Sequence, residues 1–129
     1  MNDITTRADI EQFVNSFYEK VNQDELLSPV FNDFAEVDWE KHLPTMYSFW
    51  ETLLFDERTY SGRPFPPHTF LPVTAYHFER WVALFKKNID EHFQGTTAEE
   101  AKLRATTIAH VFQNRLGIIP LVIPEELEK

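Results

Sequence analysis

Cysteine is absent from the 129-residue chain, and this absence excludes several kinds of chemistry. Disulfide bonds, zinc–thiolate sites and thiol nucleophiles all require cysteine. Glycine is also scarce, with only three residues, so glycine-rich phosphate loops and tight hairpins are disfavoured. A cytoplasmic protein is the simplest interpretation of a chain without disulfides.

Positive charge is in short supply as well. Twelve Lys and Arg residues face 21 Asp and Glu residues, which gives a formal net charge of −9. Nucleic acids and anionic membrane surfaces both attract clustered basic residues, so neither is an expected partner. No apolar run approaches the roughly 20 residues that span a bilayer, and the first ten residues, MNDITTRADI, lack the apolar core of a signal peptide.

Aromatic residues, in contrast, are abundant: they make up 15% of the chain, and 12 of them are phenylalanine. The length suits one domain, which we place at 1–129, with a single core. Apolar residues recur at helical spacing, and no segment alternates with a period of two. We therefore predict an all-α protein with helices over 7–23, about 38–54, about 74–93, and from 97 onward, together with a short segment over 26–34.

Helix-start signals and one proline refine this prediction. Thr6 with Asp9 and Thr97 with Glu100 are each spaced as a capping box. Pro44 lies beyond the first turn of the second helix, so we expect a kink or a tightened start near His42. Five residues of the stretch 55–72 are Gly or Pro, so this stretch cannot be a regular helix.

Of the five histidines, His68 is the best candidate for a ligand. It lies in PFPPHTFLP, a rigid and apolar context in which an imidazole without a partner costs free energy. A metal or haem would supply that partner, and a hydrogen bond to a loop carbonyl is the alternative. His77 and His92, near the ends of the third helix, are expected to be structural or exposed, and His110 could be a satisfied core residue.

Helix and loop lengths allow a second histidine, His42, to lie opposite His68 across a flat cavity. The helix from His42 onward is about 18 Å long, and the following loop is long enough to return that distance. Tyr18 and Trp81 add polar tips to otherwise apolar stripes, and such groups seek a partner when buried. A flat cavity with a neutral imidazole on one side and Tyr, His and Trp side chains on the other suits haem. The alternatives are that Tyr18 bonds a backbone carbonyl, Trp81 is plain core, and His42 points to water.

At this point the chain resembles the group III truncated haemoglobins. The resemblance covers roughly residues 9–115. The other two groups of truncated haemoglobins carry paired glycines at helix ends, and this chain has no such pairs, which matches group III. It rests on the order and spacing of FYEKV, the Pro29-x-Phe31 step, WEKHLPTMYSFW, YSGRPFPPH and HFERWVALF.

The resemblance implies a globin-like two-over-two helical sandwich around haem b. It implies His68 as the proximal iron ligand, and a distal ligand-binding set that consists of Tyr18, His42 and Trp81. Two further residues would contact the haem, namely Met46 on the distal face and Phe31 at the edge. From position alone, we add Phe78 on the third apolar stripe, and Tyr60 and Arg63 as contacts to the haem propionates, since an Arg fork suits a carboxylate.

The expected function is reversible binding of O2, NO or CO at a five-coordinate haem iron. Hydrogen-bond donors near a bound ligand slow its release, so sensing, detoxification or redox chemistry is favoured over simple transport. One alternative is a nitric oxide dioxygenase or peroxidase-like enzyme fed by a reductase. Two others are a haem-free helical interaction module, and a non-haem metal site built from His42, His68 and a carboxylate.

Overall fold

The computed structural model describes residues 1–34, 37–55 and 73–118, and every regular element among them is helical. The elements in chain order are α1 (Arg7–Gln23), a short π-helix (Val30–Phe34), α2 (Trp39–Phe55), α3 (Ala75–His92) and α4 (Thr96–Arg115). The all-α prediction is confirmed, and the four long helices begin and end within about two residues of the predicted positions. The predicted irregular stretch 55–72 lies almost entirely outside the described residues.

Helix α1 is the central element of the core because one of its faces is completely buried. That face carries the six residues predicted from the spacing: Ile10, Phe13, Val14, Phe17, Tyr18 and Val21. The predicted capping box is present, since the Thr6 side chain accepts from the backbone nitrogen of Asp9 and the Asp9 carboxylate accepts from the backbone of Thr6. The cap fixes where the helix starts, and therefore which residues face inward.

The four long helices pack as two pairs, α1 with α2 and α3 with α4, and the pairs meet mainly where α1 crosses α3. Three rings fill this junction. Phe13 meets Trp50 edge-on at 5.7 Å between ring centroids, and Trp50 stacks on Phe85 at 4.9 Å. Aromatic pairs at these distances stabilise the core beyond the area they bury. The arrangement is the predicted two-over-two sandwich.

The start of α2 accommodates Pro44 without ending the helix. The carbonyl oxygen of Asp38 accepts from the backbone nitrogens of His42 at 2.8 Å and Lys41 at 3.1 Å. The second bond has the three-residue spacing of a tighter turn, which the start of α3 shares without a proline, so the effect expected of Pro44 near His42 stays a prediction. Pro44 lies exposed inside α2, where it removes only the bond that its own N–H would donate to Glu40.

The predicted capping box of α4 is wrong. The helix begins at Thr96 with Gly95 as its N-cap, and the side chain of Thr97 does not cap it. The cap comes instead from Asp3, whose carboxylate accepts from the backbone nitrogens of Thr97 at 3.0 Å and Ala98 at 2.8 Å. A distant carboxylate meets the same N–H groups that a local cap would, and it also complements the positive end of the helix dipole.

None of the described helices is both long enough and apolar enough to cross a membrane.

Candidate functional site

Tyr18 is the only ionisable side chain on the buried face of α1. It is 7% exposed, and burial raises the pKa of its hydroxyl well above the ordinary value for tyrosine. None of the hydrogen bonds found among the described residues involves this hydroxyl. The group is therefore a protonated donor, held in an apolar setting, that a bound ligand could satisfy.

Four aromatic rings adjoin Tyr18. The imidazole of His42 meets the Tyr18 ring edge-on, with 5.4 Å between centroids, and Trp39 lies 5.2 Å away. Phe31, from the π-helix, meets Tyr18 at 5.9 Å, and Phe17 meets it at 5.0 Å. The structure thus brings together Tyr18, His42 and Phe31, which the sequence had assigned to one site.

Trp81 approaches the same region from α3, and the ring of Phe17 lies between Trp81 and Tyr18. Its indole meets Phe17 edge-on at 5.5 Å, and Phe17 in turn contacts Tyr18. Trp81 is half-buried and also stacks on Phe85 at 5.8 Å. Among the described residues its indole N–H makes no hydrogen bond. Tyr18 and Trp81 therefore supply two donors that flank a phenylalanine.

The remaining predicted site residues fall into two groups. Met46 is half-buried and packs against the core cluster one turn after His42. Phe78 is half-buried on the first turn of α3, and no ring contact in the described part of the chain joins it to Tyr18. The second group lies outside the described residues and consists of the predicted iron ligand and the two predicted propionate contacts, His68, Tyr60 and Arg63.

Sequence analysis missed Trp39. The residue lies three positions before His42 on α2, so the two rings share a helix face and meet at 5.5 Å. That spacing was visible in the sequence, but Trp39 falls at the predicted start of the helix, where the facing direction is least certain.

The other described histidines lie elsewhere. The Nδ1 atom of His77 accepts from the backbone nitrogen of Thr74 at 3.0 Å, and burial lowers the pKa of this histidine. His110 was expected as a possible satisfied core residue, but its buried Nδ1 has no hydrogen-bond partner among the described residues. Within the described ranges, no three His, Asp or Glu side chains are grouped as a metal site would require.

Comparison with known proteins identifies the class. Residues 2–114 match the family model described as bacterial-like globin, and the chain belongs to this globin family. The subgroup follows from sequence similarity to a known protein. The chain is 32% identical over 111 residues to a group 3 truncated haemoglobin of Campylobacter jejuni, with 83% of this chain and 87% of the relative covered.

A solved structure agrees with this assignment. The crystal structure of the group III truncated haemoglobin from Campylobacter jejuni superposes with a TM-score of 0.81 at 31% identity, and the match covers 90% of this chain and 95% of that one. The resemblance to group III truncated haemoglobins stated from the sequence is therefore confirmed.

The globin family implies haem as the cofactor, and the described side of the site fits it. Tyr18 presents a buried hydroxyl without a hydrogen bond in the described part of the chain, and a wall of aromatic rings adjoins it. Flat aromatic and apolar surfaces suit a porphyrin, and a buried donor suits a small polar ligand bound beside it. The donors are two neutral N–H or O–H groups and an imidazole, a combination consistent with a gas-binding pocket.

Proposed function

We propose that this globin holds haem b and reversibly binds diatomic gases, O2, NO or CO, in the pocket formed by Tyr18, His42 and Trp81. In this proposal residues 1–129 form a single domain, and His68 ligates the iron through a neutral ring nitrogen. When bound, haem supplies an iron atom with one open coordination position for a diatomic gas. The proposed setting is the cytoplasm, without a nucleic-acid or membrane partner.

The observation that carries the proposal is the contact between the buried Tyr18 and the His42 ring, 5.4 Å between centroids. Because burial keeps the Tyr18 hydroxyl protonated, it remains a hydrogen-bond donor at any physiological pH. The surrounding rings exclude water, which strengthens a hydrogen bond made inside the pocket. This chain's contribution is thus a dry pocket with preorganised donors.

Other residues would hold the porphyrin itself. Phe31 and Met46 are placed beside the Tyr18–His42 contact, one on the π-helix and one a turn along α2. Phe78, Tyr60 and Arg63 complete the proposed set, with Arg63 and Tyr60 directed at the propionates.

Strong donors favour some roles over others. A hydrogen bond to a partly charged ligand contributes roughly 1.5–3 kcal/mol, which corresponds to about ten- to a hundredfold slower release. Slow release suits ligand sensing, detoxification or redox chemistry better than oxygen delivery. Redox turnover would need a reductase as partner, and NO consumption with a supplied reductant, faster than by free haem, would identify such an enzyme.

The test is the visible absorption spectrum of the purified protein after hemin is added and then reduced. We expect a sharp Soret band in the wild type and in His92→Ala, and its loss or shift in His68→Gly. Free imidazole should restore the band in His68→Gly, because it can replace the missing side chain, and that restoration separates a lost ligand from a failure to fold. A wild type without a band would leave a haem-free helical module.

A further inference from the structure

We propose that Trp39, held in place by Asn32, is a positioning residue that forms the solvent-side wall of the Tyr18–His42 pocket and limits ligand entry. This inference rests on the proposed function. The Trp39 ring contacts Tyr18 at 5.2 Å, His42 at 5.5 Å and Phe31 at 6.0 Å between centroids. It is thus in contact with three of the residues assigned to the pocket.

A gradient of burial gives Trp39 its position in the wall. Tyr18 is buried, Trp39 and His42 are half-buried, and Asn32 is exposed. The indole therefore lies between the Tyr18 ring and the solvent on this side of the molecule. Trp39 stacks on Phe31 with only 27° between the ring planes, so the two rings form one continuous surface.

The orientation of the indole is fixed by a short chain of polar side chains, which we term the asparagine latch (Asn22, Asn32 and Trp39). The Trp39 Nε1–H donates to Oδ1 of Asn32 at 2.9 Å, and Nδ2 of Asn32 donates to Oδ1 of Asn22 at 2.9 Å. Asn32 also donates to the carbonyl and the hydroxyl oxygen of Ser28, both at 3.2 Å. Asn22 lies near the end of α1, so the latch ties the first residue of α2 to α1.

The bond from Trp39 to Asn32 is exposed, which makes it easy to open. A single neutral hydrogen bond in a protein changes an equilibrium by roughly two- to tenfold. Breaking the latch therefore leaves the fold intact but increases the fraction of molecules in which the indole has moved away. Ligand entry should accelerate by a similar factor, because access depends on that fraction.

The experiment compares four variants in the ferrous, CO-bound protein. Asn32→Leu removes both the acceptor for the indole and the donor to Asn22. Asn32→Asp keeps the acceptor but loses the donor, and Trp39→Ala removes the wall. Thr45→Val is the control, since the exposed Thr45 hydroxyl bonds only the Lys41 carbonyl on the outside of α2. CO association after flash photolysis measures entry, and hydrogen exchange of the indole N–H protons, followed by NMR, reports on the latch itself.

We expect Asn32→Leu to accelerate CO association by about two- to tenfold and to speed exchange of one indole proton. Trp39→Ala should accelerate association at least as much, whereas Thr45→Val should match the wild type. Asn32→Asp should lie between the wild type and Asn32→Leu, because it keeps the acceptor for the indole but loses the donor to Asn22. Unchanged association in both Asn32→Leu and Trp39→Ala would overturn the inference while leaving the haem proposal standing. Absence of a Soret band in the wild type would instead overturn the proposed function. If Trp39→Ala does not fold, Asn32→Leu decides alone.

Discussion

The carboxylate of Asp3 lies 2.8 Å from the backbone nitrogen of Ala98, so a residue at the start of the chain caps the last described helix. The same carboxylate accepts from Thr97, and Asn2 accepts from Gln94 through its backbone carbonyl at 3.0 Å. The hydrogen bonds outweigh the effect of partial burial and hold the pKa of Asp3 below its ordinary value. Asn2 and Asp3 therefore hydrogen-bond to the connection between α3 and α4 and to the first turn of α4.

Removal of this cap should lower stability. We expect Asp3→Ala to reduce the free energy of unfolding by about 1 kcal/mol, the usual cost of losing an N-cap side chain. Chemical denaturation monitored by circular dichroism measures this. Asp33→Ala is the matched control, because Asp33 is exposed on the π-helix. Equal stability of the two variants would show that Asp3 contributes nothing as a cap.

Gly95 should tolerate no side chain. Its φ of +141° belongs to a region that only glycine adopts readily, and an added Cβ would lie 2.5 Å from the Asp3 side chain. Gly95→Ala should therefore destabilise the protein by roughly 2 kcal/mol or more. Gly117→Ala separates the two causes, since Gly117 has a φ of +74° but nothing within 4 Å of an added Cβ. A larger fall in Tm for Gly117→Ala would contradict this account.

Acid should weaken the start of α3 through His77. Burial lowers the pKa of His77, and its Nδ1 accepts from the Thr74 backbone only when that atom is unprotonated. The unfolded chain then binds more protons than the folded one just below the ordinary histidine pKa of about 6.5. Stability from this contact is fully present above that pH and is lost as the pH falls toward the folded-state pKa.

A comparison of unfolding midpoints tests the prediction for His77. Between about pH 7 and about pH 5, the wild type should lose more stability than His77→Gln, which cannot titrate there. An identical pH dependence of wild type and His77→Gln would refute the prediction.

Ligand release should depend on the Tyr18 hydroxyl. We expect Tyr18→Phe to speed O2 release by about ten- to a hundredfold, because it removes one donor and keeps the ring. Since burial raises the pKa of Tyr18, ionisation of this hydroxyl should not alter release below about pH 10, where free tyrosine ionises.

Stopped-flow measurement of O2 release tests this, with Tyr47→Phe as the control. The Tyr47→Phe variant also loses a hydrogen bond, the one from Tyr47 to Asn15, but Tyr47 lies away from the rings around Tyr18. Equal release rates in Tyr18→Phe and the wild type would exclude Tyr18 as a donor.

Local signals explain most of what was predictable. The stripe on α1 and the Thr6–Asp9 cap depend on residues within one or two turns of each other, so spacing alone revealed them. Tyr18 was proposed because a polar tip on an apolar stripe is visible in the sequence, and His42 because helix and loop lengths allow it to lie opposite His68. Trp39 was missed because it falls at the predicted start of its helix and because its role depends on Asn32 and Asn22, seven and seventeen residues away in the chain.

The sequence by itself determined the positions of the helices and the inward face of α1, because helical periodicity is a local property. The order and spacing of its motifs carried the resemblance to the truncated haemoglobins. The tertiary structure alone decided that Asp3 caps α4 in place of the local Thr97–Glu100 pair, and that a latch of asparagines holds Trp39 over Tyr18. Both depend on contacts between segments far apart in the chain. A backbone N–H group bonds whichever acceptor the packing of the helices brings within reach, irrespective of its distance along the sequence.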